Sequence, residues 1–423
     1  MSSQQRLIGK PIIWEAIRAH REGIVRYRLD RSAMVQWAGV TVIIPPRSQY
    51  DITQPTIFGL NERLTLSARG SSGKTLREEF NSEWEAYTAA LFQSEETGLL
   101  EYGYYAYYPD REHLVRVCSP YWHRLVAVAS SSTLLSAPED RLTWQQIRDI
   151  FSTTTVAVAG CSVGSTVTHS LIMDVRPEQI KIADKSVYKM ENINRVRLSY
   201  ADMVESEATR RSAIESPLRN KARVVAEQLY DMDPFLNVFV YDEGINATTL
   251  PVFLDGYGDE PAADIVVEEV DDPRVKLLIR EEARRRQLPV IMVTDIGSAV
   301  QLDVMPYHRD HTLPLTWGTS DEELYAAMER VYTDPSNRRL FFEFVDALVG
   351  TDYRRGELLR VIEERAEIPT ATIIPQLGST AAMAGAIAAE TVARVRLGYD
   401  YPPRVFIDKH TFAVKAYRRE EFL

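Results

Sequence analysis

"VAVAGCSVGSTV", Val156–Val167, sets a short apolar run against a Gly/Ser turn. Small and β-branched residues in succession read as a strand buried on both faces, and the turn that ends it places Gly160 and Gly164 on either side of Ser162. The pattern fits two chemistries. As G-x-S-x-G it matches the elbow that presents the nucleophile of a serine hydrolase. As a glycine loop between strand and helix it is a cradle, in which backbone N–H groups and a helix N-terminus hold an anion.

The surrounding sequence repeats this strand–turn–helix alternation. The strands read as TTVAVAG, QIKIAD, LNVFVYD, ADIVVEEV and PVIMVTD. Between them, STVTHSLIMDV continues from the glycine loop as a helix. RNKARVVAEQLYDMDP spaces Ala222, Val225, Ala226, Leu229 and Met232 along one helical face, and PRVKLLIREEARRRQ does the same with Val275, Leu278, Ile279 and Ala283. This is the signature of an α/β fold, a Rossmann-like sheet flanked by helices. Beyond Asp310, DEELYAAMERVY, NRRLFFEFVDALVG with Gly350 as its C-cap, and GELLRVIEERAE read as a helical insertion. The small residues of QLGSTAAMAGAIAAETVARVRLG predict a helix that approaches its neighbours closely, and RVFIDKHTFAVKAY a closing strand pair. The first part of the chain differs, with hairpin-like WAGVTVIIPP and RLTLSARG and the helical TLREEFNSEWEAYTAALFQ. The domains are therefore expected at residues 1–110 (a separate α+β accessory domain), 111–150 (a connecting segment) and 151–423 (the α/β domain, with the insertion at about 311–366).

Composition narrows the function. A net charge of −11 gives no overall electrostatic footprint for nucleic acid or an anionic membrane. No stretch is apolar for long enough to span a bilayer, and MSSQQRLIGKPIIWEAIRAHREG lacks the apolar core of a signal peptide. With only Cys118 and Cys161 there is no disulfide framework and no CxxC zinc pair, and a cytoplasmic setting is expected.

Two further motifs fall short of a function. A-R-G-S-S-G-K-T, Ala68–Thr75, has alanine where a P-loop needs its first glycine, and no strand–helix series lies close behind it. It reads as a loop capping a helix. His308 and His311 in PYHRDHT, with Asp303 or Asp310, lack a third metal ligand at a telling spacing and read as loop residues. The hydrolase reading offers Asp264, Asp271 or Asp295 as the acid and His308, His311 or His410 as the base, with nothing to single out one set.

The cradle reading gains from the residues downstream of the loop. IKIAD ends in Asp184, and a carboxylate at the end of the second strand is where a Rossmann-type fold holds a ribose hydroxyl. Then come ENINRVR (Glu191–Arg197), Lys221 in NKARVVAEQL, and DIVVEEVDD (Asp264–Asp272). On these residues the chain resembles the ThiF/MoeB family, which includes the adenylation domains of ubiquitin-activating enzymes, from about Thr153 to His308. QLGSTAAMAGAIAAETV is also similar to that family's late small-residue helix.

The resemblance implies that Gly160, Ser162 and Gly164 form the nucleotide loop, Asp184 binds the ribose, and Asn192, Arg195 and Lys221 meet the phosphates of ATP. Asp271 would hold magnesium. Arg195, Lys221 and Asp271 would then be catalytic: attack of a carboxylate on the α-phosphorus loads negative charge onto phosphoryl oxygens, and fixed cations and a metal stabilise it. The chain departs from the family in having Ser162 for a glycine in a shortened loop, Ser186 for the second acid after Asp184, and no cysteine after Cys161. It therefore resembles members that form an acyl-adenylate without a thioester. The implied substrate is a small carboxylic acid or the C-terminus of a peptide or small protein, and a homodimer is implied too. Two other classes compete: a non-catalytic partner or scaffold that keeps the fold, and an NAD- or FAD-dependent enzyme.

Overall fold

The runs flanking the glycine loop become neighbouring strands. The computed structural model describes residues 6–15, 33–37, 40–44, 104–108, 113–117, 142–205, 217–350 and 376–422. In the N-terminal region, β1 (Ile12–Glu15), β2 (Ala33–Trp37), β3 (Val40–Ile44), β4 (Tyr104–Tyr108) and β5 (His113–Val117) make a β1-β4-β5 sheet and a β2–β3 hairpin. The β4–β5 pair spans residue 110 and packs inward, with Ala106 and Tyr108 in the main core and the Tyr108 hydroxyl donating to Tyr230 O at 2.9 Å.

The main unit opens with α1 (Trp144–Thr153), which Thr143 and Gln146 close in a capping box and which buries Trp144, Ile147 and Phe151. It continues through β6 (Thr155–Ala159), α2 (Val163–Asp174), β7 (Gln179–Ala183), the short α3 (Tyr200–Met203), α4 (Lys221–Met232), β8 (Asn237–Tyr241) and α5 (Thr249–Asp255). Then come β9 (Ile265–Glu268), α6 (Pro273–Arg285), β10 (Val290–Ile296), β11 (Ala299–Met305), α7 (Asp321–Thr333), α8 (Arg338–Val349), α9 (Gly378–Leu397), β12 (Arg404–Asp408) and β13 (Ala413–Tyr417). Among the described residues they form an eight-stranded sheet in the order β13-β12-β11-β10-β9-β6-β7-β8.

The half from β10 to β8 is parallel and the half from β13 to β10 is antiparallel. Strand order reverses at β6, whose neighbours are β7 on one side and β9 on the other. Ligands of open α/β sheets bind at such a reversal, outside the C-terminal strand ends. That is where the glycine loop lies.

The periodicity of the sequence does not disclose β11. Its inward polar residues hide it: Gln301 and Asp303 are buried, Gln301 Nε2 donates to Asp303 and to Val349 O, and Asp303 pairs with Arg404 from β12. ARGSSGKT and GELLRVIEERAE lie outside the described residues.

The small residues of α9 do bring it close to α2. A Cβ on Gly385 would stand 2.6 Å from the backbone carbon of Thr166, whose hydroxyl donates to Ala381 O at 3.0 Å. Neither backbone has a flexible end to move. Gly385→Val should therefore destabilise the fold by about 1–3 kcal/mol through overpacking, measured as a lowered midpoint in denaturant. An unchanged midpoint would mean that the two helices separate at no cost.

Candidate nucleotide site

At the end of β6 the chain turns through Gly160 at a φ of +96°, and its Cα rests on the backbone of Glu269, the residue after β9. A side chain there would meet both a strained conformation and the Glu269 carbonyl. Ser162 stands at the N-cap of α2 without a capping side-chain bond, so the helix presents its first N–H groups outward. This is an anion-binding end. Gly164, in the first turn, lies over Val158 and the Glu269 side chain.

Asp184, one strand over, holds the loop in shape: its Oδ2 accepts from Cys161 N at 2.9 Å and its Oδ1 from Ser186 N at 2.8 Å. Each carboxylate oxygen retains a further lone pair for a hydroxyl. Asn220 joins the two strand ends by donating to Asp184 O at 2.8 Å and Asp242 O at 3.2 Å, and its own carbonyl caps α4 through Arg223 N. That cap sets Lys221 at the first position of α4, with its N–H on Ser186 O. Lys221 is near enough to Cys161 to favour the thiolate, but burial, reinforced by Asp184, pushes the thiol well above its usual range. Cys161 is thereby an inert packing residue.

The NxxR segment is a 3-10 turn, Met190–Asn194. Asn192 is buried, and its side-chain oxygen accepts from Lys189 N at 2.9 Å, so it shapes the turn that delivers Arg195. Arg195 reaches back to the glycine loop, its Nε donating to the Ser162 hydroxyl at 3.3 Å. Gly160, Ser162, Gly164, Asp184, Arg195 and Lys221 thus converge on one loop.

Asp271 is exposed, on the connection from β9 to α6. Asp272 beside it caps α6, accepting from Arg274 and Val275 N–H groups, and also takes the Tyr332 hydroxyl of the insertion at 2.8 Å. Below them Glu268 is fully buried between Lys276 (2.7 Å) and Arg280 (3.0 Å).

Asp295, at the end of β10, is only 6% exposed. Its Oδ1 accepts from Gln376 Nε2 at 2.6 Å, while Gln376 O accepts from Asn194 Nδ2 at 2.9 Å, linking the NxxR turn to β10. Its Oδ2 is buried with no hydrogen-bond partner. Burial pushes this carboxyl up to about 7; Gln376 and Arg195 work against that, and Asp271 adds to it. From sequence, Asp295 is a candidate only as a hydrolase acid. The signal that could have placed it here is its position at the C-terminal end of a parallel strand.

Ser162, Asp264 and His308 do not assemble as a hydrolase triad: Ser162 faces Arg195, Asp264 sits just before β9 bonded to Thr155 N and Arg396, and His308 lies beyond the far end of β11. No cluster of three metal-binding side chains occurs among the described residues: Asp303 pairs with Arg404, and Asp310 with Arg419.

The arrangement defines a class: an α/β protein with a glycine loop at its strand reversal, bordered by one acid, Asp184, and two cations, Arg195 and Lys221. The chain belongs to the ThiF family, whose model matches residues 143–420. It is 26% identical over 199 residues to an uncharacterized protein, MT1398, of Mycobacterium tuberculosis, and the match spans 47% of this chain but only 24% of that relative. Among solved structures it is similar to E. coli MccB with AMPCPP and MccA (15% identity, 66% of this chain and 67% of that one, TM-score 0.43). It is also similar to PaaA (12% identity, 82% and 97%, TM-score 0.46). No helix among the described residues is long and apolar enough to cross a membrane.

Proposed function

We propose that this protein is an ATP-dependent adenylyltransferase that activates a carboxylate as its acyl-adenylate, with no cysteine thioester step. The observation that carries this reading is the convergence of Arg195, Lys221 and the uncapped start of α2 on the glycine loop, with Asp184 alongside. Arg195 supplies a planar fork for phosphate oxygens and Lys221 a compact charge, the two cations that departing pyrophosphate requires. Hydride transfer releases no pyrophosphate whose developing charge such a pair would stabilise. The only cysteine in the family-matched region is the buried Cys161, so the acyl group would pass directly to an amine, water or sulfur nucleophile.

In this reading Asp271 brings a hard oxygen ligand to magnesium, which when bound neutralises charge on the phosphates. The substrate is a small acid or the C-terminus of a peptide or small protein. The N-terminal region would clamp that substrate, and two copies would pair in the cytoplasm.

Equilibrium binding tests the reading. ATP with magnesium should bind and NAD should not, and Lys221→Ala should weaken ATP by roughly 10- to 100-fold, the worth of one charge-assisted contact. A folded protein that binds no ATP would sink the assignment and leave the scaffold class.

A further inference from the structure

Magnesium bound with nucleoside triphosphates usually takes one or two carboxylates along with phosphate oxygens and water. The β9–β10 register shows where a second carboxylate lies. Val290 pairs with Val266 and Ile291 with Val267, and beyond that ladder the Val293 N–H donates to the Glu269 side chain at 2.8 Å, so the two strand ends stay in contact up to that level. Asp271 follows Glu269 by two residues and Asp295 follows Val293 by two, so both stand at the same C-terminal edge of the sheet, close enough for the Asp271 charge to act on Asp295.

The Asp295 side chain is also prepared for such a ligand. Gln376 fixes one oxygen, and Gln376 is itself held by Asn194 and by a backbone bridge to Gly297. The other oxygen is buried without a donor. An unsatisfied buried carboxylate oxygen is costly unless something outside the chain completes it. Arg195 is engaged with Ser162 and does not fill that place.

We infer that Asp295 is a second carboxylate ligand to the magnesium ion of bound ATP, paired with Asp271 across the ends of β9 and β10. The inference rests on the ATP reading above. Nothing in the Ser162-centred loop requires a carboxylate at position 295, and the fixed Oδ1 with its open Oδ2 suits a metal ligand better than a packing residue.

The test is the magnesium dependence of ATP binding, measured by calorimetry on the full chain with a non-hydrolysable ATP analogue. For Asp295→Asn, the magnesium concentration giving half-maximal tightening should rise about tenfold, while affinity without magnesium stays the same or improves because a negative charge has gone. As a second variant, Asp295→Cys should bind the analogue poorly with magnesium and recover with Cd2+, since thiolates select soft metals. Recovery by a soft metal is something that a packing role would not produce. A wild-type magnesium midpoint in Asp295→Asn, or equal weakening at every magnesium concentration and no Cd2+ recovery, would overturn the inference and leave the ATP assignment standing. Failure of the wild type to bind the analogue at any magnesium concentration would remove both.

Discussion

Arg195→Ala should lower exchange of pyrophosphate into ATP by about 100- to 1,000-fold, the usual loss when one fixed group that meets developing charge is removed. Of the residues proposed to meet phosphate, Arg195 is the one whose position is most fully built. The 3-10 turn ends on it, Asn192 closes that turn from within, Asn194 ties it to Gln376, and its Nε already rests on Ser162. Binding ATP therefore needs little reordering of this side chain. Arg195→Lys should recover no more than a small part of the loss, because an ammonium lacks the fork that meets two oxygens together. Ser162→Ala is the control, removing only a hydroxyl that accepts from Arg195, and should cost a few-fold. If the alanine variant at position 195 exchanged pyrophosphate at the wild-type rate, the phosphates would have to lie elsewhere. If Ser162→Ala abolished activity while Arg195→Ala did not, Ser162 would be doing chemistry of its own.

The parallel half of the sheet is legible in the sequence because its strands are buried on both faces. Val156, Ile180, Val238, Val266 and Ile291 are all fully buried, and each run ends at a turn. Asp184 and Arg195 are legible for a related reason. Each comes directly after a strand or turn that fixes it, so spacing along the chain carries the geometry. The antiparallel half is harder. β11 carries Gln301 and Asp303 into the core, and their partners Val349 and Arg404 come from segments far along the chain. Asp295 is a similar case: its surroundings depend on the strand end beside it and on Gln376, many residues later in the chain. The part Asn192 plays in closing its turn, through its side-chain oxygen on Lys189 N, is not legible, since a motif fixes the residue type but not which way its amide points.

The largest stability effect should come from beneath the crevice. Arg280→Met should cost about 3–5 kcal/mol, because Arg280 and Glu268 are both fully buried and the change leaves a carboxylate with less than it needs. Arg280 Nε holds Glu268 Oε2, and its Nη1 donates to Leu315 O at 2.7 Å, so one guanidinium ties the end of β9 to the chain leading into α7. Lys276 remains on the other oxygen, which limits the damage but does not complete the shell. For a unit of this size the loss corresponds to a fall of roughly 10 °C in melting temperature. Arg285→Met on the same helix supplies the comparison. Arg285 is exposed and pairs with Glu282 at 2.6 Å, and such a surface pair should change stability by about 0.5 kcal/mol or less. Glu268→Gln added to Arg280→Met should recover part of the loss by removing the stranded charge, and the double variant would then be more stable than Arg280→Met alone. If the single variant at position 280 proved as stable as the wild type, the buried pair would only be breaking even against its desolvation. The consequence reaches the site as well: Glu268 immediately precedes Glu269, whose backbone supports Gly160. Melting of Arg280→Met with and without ATP should accordingly show a smaller ligand-induced shift than the wild type, because the strand end under the glycine loop no longer has a fixed anchor.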